Sequence, residues 1–287
     1  MYNQCYTQFQ KGHHLFVVSF IFAQINFLKR FTKQRKYGII QVARIMKGEL
    51  ALRLDKYLVE AGVATRTEAT KAARAGLICI NGKVERKTAT HVDTTKDTVT
   101  YKGQTIIYRE FTYIMLNKPE GYVSATDDDK SPTVLTLLPD ELQRIGLFPC
   151  GRLDKNTLGL MILTNNGPLS HKLLAPKSHV SKKYYFKAED NVTEEDRVRL
   201  ESGVDIGGYM TAPCKVEMIT SKEGYITLTE GKYHQIKLML KAVCNKIIYL
   251  ERVTFGPIAL DNTLTRGEWR YLTEEEQNAL EAHGAQK

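Results

Sequence analysis

One carboxylate carries most of the chemical signal in this chain. Asp154 stands in Gly151-Arg152-Leu153-Asp154-Lys155-Asn156-Thr157-Leu158-Gly159, a turn-like stretch of small and polar residues. The apolar run 160–164 follows and closes in Asn165-Asn166-Gly167, a turn signal. An acid at the mouth of a strand that must be buried can act as a nucleophile; an isolated aspartate near a glycine can equally cap a helix or close a turn. Chemistries that need several such groups fit poorly. Glycoside hydrolysis usually takes two carboxylates, and no second acid falls in a comparable motif. Asp127-Asp128-Asp129 reads as a solvated loop, and His171, His179 and His234 lack metal-ligand spacing. Cys5, Cys79, Cys150, Cys214 and Cys244 lie far apart with no C-x-x-C pair, which argues against zinc and a disulfide scaffold and for a reducing cytosol. No metal is expected.

The elements that must position Asp154 follow from charge and pattern. At 287 residues, 43% hydrophobic and 25% charged, the chain is globular and long enough for two ordinary cores. A net charge of +9 points to an anionic partner, with nucleic acid first in line. The excess is uneven. Residues 1–46 hold seven Lys/Arg and no acid, residues 47–108 eleven basic against seven acidic, and residues 109–287 23 basic against 25 acidic. Affinity for nucleic acid is therefore expected to lean on the smaller middle module and on local patches.

Three segments result: a basic extension (1–46), a small module (47–108) and a larger domain (109–287). The apolar residues 15–28 are too few to span a bilayer and are interrupted by Gln24 and Asn26. Basic residues between 29 and 36 stand where a signal peptide would have its small-residue cleavage site. Met46 directly precedes the next pattern, so it reads as the natural start, with a genuine basic arm as the competing reading. In the small module, apolar residues at 54, 58 and 61 predict a helix closed by Gly62. Thr65-Arg66-Thr67-Glu68 is a capping box opening a second helix through Ala69, Ala72 and Ala73, stopped by Gly76. Residues 77–80 are strand-like, and Asn81-Gly82 predicts a hairpin. In the larger domain, residues 113–121 read as a strand ending in a Pro-Gly turn, residues 132–139 as a short helix, and residues 181–188 as a strand. Short turns between strands from 205 to 230 predict antiparallel pairing, and apolar positions 236, 239, 240 and 243 predict a helix. The fold class is α+β: a helix-helix-hairpin module, then a domain on a mostly antiparallel sheet.

These segments resemble the pseudouridine synthases that carry an N-terminal S4 RNA-binding domain, the RsuA family. Gly151-Arg152-Leu153-Asp154 matches the family's GRLD motif, Leu116-Asn117-Lys118-Pro119-Glu120-Gly121 its LNKP-x-G motif, and Lys182-Lys183-Tyr184-Tyr185-Phe186 its K-x-Y-x-V motif, with Phe186 in the usual Val place. Tyr233-His234-Gln235-Ile236-Lys237 matches the third motif, in which a basic residue follows Gln-Ile. Two departures stand out: Leu238 replaces a usual second basic residue, and Cys244 a usual glycine. The resemblance covers about residues 50 to 278.

What the resemblance implies is an isomerase that breaks the N-glycosidic bond of a uridine and rejoins the ring through C5, with no cofactor. Asp154 would be the nucleophile, Lys237 its counterion, and Tyr184 the stacking surface for a base taken out of its helix, its hydroxyl helping to move the C5 proton. Only one of Tyr184 and Tyr185 can face the site, because neighbours on a strand point to opposite faces. Arg152, Lys118, His234 and, in the S4-like module, Arg66, Lys71 and Arg74 would contact RNA, the last three through phosphates. Leu153 and Ile162 could wall the pocket, although ordinary core packing accounts for them better. The Tyr-His-Gln form and the tail 266–276 are most similar to members acting on small-subunit (16S) ribosomal RNA. Large-subunit (23S) RNA is the alternative target, and a non-catalytic ribosome assembly factor the alternative function. The expected partner is ribosomal RNA or a small-subunit assembly particle; a cytoplasmic monomer without membrane attachment is expected.

Overall fold

The computed structural model describes residues 51–175 and 178–285. The apolar run and basic cluster of residues 1–46, and the reading of Met46 as a start, lie outside the described residues. The described residues divide into two compact units, one holding residues 51–52 and His91–Asp97 and the other Arg53–Thr90 and the described residues from Thr98 on. In the first, Val92 is fully buried and the Asp93 carboxylate closes a turn by accepting from the Thr95 amide and hydroxyl at 2.9 and 2.7 Å.

The second unit opens with helix α1 (Leu54–Glu60), which buries Leu54, Tyr57 and Leu58. Helix α2 (Arg66–Arg74) begins in the expected capping box: the Thr65 hydroxyl accepts from the Glu68 amide, and the Glu68 carboxylate from the Thr65 amide. Its three alanines, Ala69, Ala72 and Ala73, form the buried stripe, leaving Arg66, Lys71 and Arg74 exposed. The hairpin pairs Ile78–Ile80 with Lys83–Val84 around Asn81 and Gly82, both at positive φ. Such a turn matches the strand twist, and Asn-Gly tolerates it best.

A nine-stranded sheet builds the rest: β1 (Tyr113–Lys118), β2 (Phe148–Pro149), β3 (Leu158–Thr164), β4 (Lys182–Ala188), β5 (Lys215–Met218), β6 (Glu223–Leu228), β7 (Ile247–Phe255), β8 (Ile258–Ala259) and β9 (Trp269–Tyr271). Its order is β5-β6-β4-β7-β3-β1-β9, with β8 on β7 and β2 on β3. Every pairing is antiparallel except β7 with β3, where Glu251 and Arg252 meet Leu158 and Gly159. Helices α3 (Asp140–Gln143), α4 (Gly167–Leu174), α5 (Glu194–Ser202), α6 (Gln235–Ala242) and α7 (Glu274–Ala285) accompany it, and the expected mostly antiparallel α+β architecture is what forms. Strands β1 and β3 are apolar at nearly every position because both faces are covered, so their residues alternate between two cores. Ile114, Leu116, Met161 and Leu163 join one core with helix α6 (Gln235–Ala242), through Ile236, Met239 and Leu240. Met115, Leu160 and Ile162 join the other with α4 (Gly167–Leu174) and α7 (Glu274–Ala285), through Leu169, Leu173 and Leu280.

The parallel join is sterically specified. Gly159 has φ +95°, and a Cβ placed on it would lie 2.4 Å from the Arg252 carbonyl oxygen. Only glycine meets both conditions. Cys244, which follows α6 where the family usually has glycine, holds φ +58° and so occupies the left-handed conformation that explains the usual residue.

Candidate active site

Asp154 sits between β2 and β3 in a loop held from two sides. From one side, the Ser124 hydroxyl donates to the Leu153 carbonyl at 2.8 Å and accepts from the Leu153 amide at 3.0 Å. From the other, the Lys118 ammonium at the end of β1 donates to the carbonyls of Pro119, Lys155 and Thr157 at 3.0, 3.1 and 2.9 Å. Lys118 is fully buried, so the expectation that it contacts RNA is corrected: two of its three donors are spent on backbone carbonyls flanking Asp154 and the third on that of Pro119. Burial lowers that ammonium to about 8, while the Asp154 carboxylate pulls the other way.

Around Asp154 the chain opens into a cavity of about 820 Å³. The Lys237 ammonium, from the first turn of α6, lies 2.6 Å from Asp154 Oδ2 and 2.7 Å from Asn156 Oδ1. On the other carboxylate oxygen, Oδ1, His234 Nε2 stands 3.6 Å away. His234 precedes α6 with φ +51°, an uncommon conformation for a residue with a side chain, and its ring stacks on Tyr233 at 3.8 Å. Asp154 and Lys237 are each about one-quarter exposed, so the pair opens onto the cavity rather than the core.

Tyr184, from β4, lines the same cavity and is 9% exposed. Among the described residues no protein group hydrogen-bonds its hydroxyl. Tyr185 points to the opposite face, where its hydroxyl donates to Glu223 at 2.5 Å and its ring meets Tyr225 and Tyr249. Arg152 is exposed at the cavity wall and Leu153 is buried in it. Ile162 does not line the cavity; it belongs to the second core, on the other face of β3. Of the site residues read from sequence, Asp154, Tyr184, Lys237, Arg152 and His234 therefore share one cavity. Arg66, Lys71 and Arg74 lie together on α2, outside that lining.

Sequence reasoning missed Ser124, Asn156 and Arg252. Arg252 lies directly across from Tyr184 in the β4–β7 register, is 1% exposed and lines the cavity. The one available signal was an arginine inside a strand that ends in Phe255-Gly256-Pro257, where burial would be expected.

The chain matches the family model of RNA pseudouridylate synthases over residues 112–242 and that of the S4 domain over residues 52–99. An uncharacterized RNA pseudouridine synthase of Bacillus subtilis, YtzG, is 47% identical over 234 residues, 80% of this chain and 98% of that protein. The ribosomal small subunit pseudouridine synthase A of Vibrio cholerae is 38% identical over 227 residues, 78% of this chain and 97% of that protein. Its Escherichia coli counterpart is 37% identical over 228 residues, 78% and 98% respectively. A crystal structure of a pseudouridylate synthase is similar at a TM-score of 0.57 and 35% identity, covering 80% of this chain and 99% of that one.

Proposed function

As this chain belongs to the RNA pseudouridylate synthase family, we propose that it converts one uridine of small-subunit (16S) ribosomal RNA to pseudouridine, with Asp154 as nucleophile and no cofactor. The observation that carries this reading is the Asp154–Lys237 ion pair, 2.6 Å long, on the wall of a cavity that also holds Tyr184. The relatives named for the small ribosomal subunit support the choice of RNA.

The chemistry is an isomerisation: the C1′–N1 bond of uridine breaks, a C1′–C5 bond forms, the C5 proton leaves and N1 gains one. Nothing is added or oxidised, so one carboxylate that attacks and then leaves is sufficient. A carboxylate drawn out of water needs a compensating charge, which Lys237 supplies. Tyr184 offers a stacking surface worth about 1–3 kcal/mol to a base that has left its helix, and its hydroxyl is free to assist transfer of the C5 proton. Arg152 and His234 meet the RNA at the cavity, while Arg66, Lys71 and Arg74 of the small module (47–108) hold phosphates without reading sequence. The larger domain, 109–287, carries the reaction, in a monomer acting in the cytoplasm.

Pseudouridine mapping of ribosomal RNA, by carbodiimide adduct and reverse transcription, tests this in cells lacking the gene. One small-subunit modification should disappear, return with wild type, and stay absent with Asp154→Asn, although that variant folds and binds RNA. Product formed by the variant would remove Asp154 from the nucleophile role. A lost large-subunit modification would move the target, and an unchanged map of both subunits would overturn the enzymatic reading.

A further inference from the structure

Arg252 is buried and Lys182 half-buried, and among the described residues neither is given a carboxylate partner. Arg252 is 1% exposed; its Nε donates to the Leu160 carbonyl at 2.7 Å, and its Nη2 touches Met161 Sδ at 3.9 Å. Its guanidinium lies 5.3 Å from the centre of the Phe255 ring, and Nη1 has no hydrogen-bond partner among the described residues. Lys182 donates to the Val180 carbonyl at 2.8 Å, with its ammonium 5.9 Å from the same ring. Burial, and secondarily the Arg252 charge, lower that ammonium to about 8. Both residues line the cavity that holds Asp154.

The acids nearby are already engaged. Asp154 is held by Lys237. Glu230 accepts from Gln235, the Ala212 amide and the Tyr209 hydroxyl. Asp128 accepts from the amides of Lys130 and Ser131. Burying a guanidinium without an anion costs several kcal/mol, and an arginine with an open donor is suited to bind a planar or tetrahedral oxyanion. This end of the cavity also adjoins the catalytic loop: a methyl group placed on Gly151 would lie 4.0 Å from Arg252 Nη1.

We propose that Arg252 and Lys182 form an anion subsite that binds the phosphodiester of the target nucleotide. The inference rests on the nucleotide reading of the cavity given above. Arg252 is the cross-strand partner of Tyr184, so a nucleotide whose base lies on Tyr184 carries its phosphate toward the two unmatched cations. The subsite neutralises the charge that the nucleotide brings in and fixes the sugar relative to Asp154. It thus acts on binding and registration and not on the bonds that change.

Calorimetric binding of uridine 5′-monophosphate, uridine and inorganic phosphate to the full chain tests the subsite without turnover. Wild type should bind the monophosphate at least about tenfold more tightly than uridine, a difference of 1.4 kcal/mol. Inorganic phosphate should compete weakly. Arg252→Gln and Lys182→Met should each bring the ratio toward one, and Asp154→Asn should keep it. If Arg252→Gln fails to fold, Lys182→Met, which retains packing over Phe255, decides. In turnover, Lys182→Met should raise KM and leave kcat nearly unchanged, and the salt dependence of RNA binding should flatten by about 0.7 in log–log slope per lost phosphate contact. A wild-type ratio of one, or a ratio that survives both substitutions, overturns the subsite. Inorganic phosphate binding as tightly as the monophosphate overturns its assignment to a nucleotide. Absence of pseudouridine formation by wild type would sink the isomerase reading alone, since the binding ratio does not depend on it.

Discussion

The cavity and the C-terminal cap both contain arginines taken largely out of water, and the fold treats them in opposite ways. In the cap, Arg270 from β9 is matched twice, by Asp261 at 2.7 Å and by Glu276 at 2.7 and 2.9 Å. In the cavity, Arg252 meets one carbonyl and one sulfur and, among the described residues, no acid. The two faces of β4 repeat the contrast, with Tyr185 bonded to Glu223 and Tyr184 turned to the cavity. Groups that the protein satisfies itself serve stability. Groups that it buries but leaves unmatched are reserved for a ligand, and the fold bears their cost.

Lys237 is where this contrast can be broken most severely. Lys237→Met leaves Asp154 in the cavity without its ion pair, and kcat should fall by about 10²–10³-fold, while melting temperature moves little because the pair is partly exposed. Single-turnover kinetics beside thermal melts check both halves. A smaller loss is expected from Lys118→Met, which unties the carbonyls of Pro119, Lys155 and Thr157 and lets the Asp154 loop drift. Displacement of a reacting group by about 1 Å costs up to about 10²-fold, so turnover should fall by about 10–100-fold with RNA affinity retained. Unchanged turnover would show that the Lys118 contacts are not what fixes the loop.

Asp261→Asn, in the cap, should leave activity untouched and change only stability. The Thr263 hydroxyl and amide and the Arg270 guanidinium hold the Asp261 carboxyl down at about 2, from an ordinary value near 3.8. A carboxylate whose folded value is depressed stabilises the fold above its unfolded value and loses that contribution as pH falls through the folded one. The gap in melting temperature between wild type and variant should therefore be full at neutral pH and close between about pH 4 and pH 2. A gap that persists at pH 2 would mean that the carboxylate charge is not what the cap uses.

Local signals made much of this molecule legible. The Thr65–Glu68 capping box, the Asn81-Gly82 hairpin and the strand over residues 113–118 each depend on a few adjacent residues, and each forms as read. Asp154, Tyr184 and Lys237 could be singled out because their motifs are local, although the chain brings them together from three distant segments. Lys118 was misread because a lysine beside a Pro-Gly turn looks like a surface residue; its burial comes from the Asp154 loop folding over it. Arg252 gave almost no signal, since apart from Phe255 its environment is assembled from β3, β4 and the Gly151 turn, none of them near it in sequence.

The parallel contact between β7 and β3 has a consequence for the order of events in folding. It joins two antiparallel sets, β2-β3-β1-β9 on one side and β5-β6-β4-β7 on the other, whose internal pairings are largely closer in the chain. The Arg252–Leu160 hydrogen bond across the join spans 92 residues. Closing so long a loop is rewarded only once both sets exist to dock. Arg152 and Asp154 belong to the first set, and Tyr184 and Arg252 to the second. The catalytic constellation is thus split across that seam, so neither half alone holds a working pocket and competence arrives only once the two sets have docked.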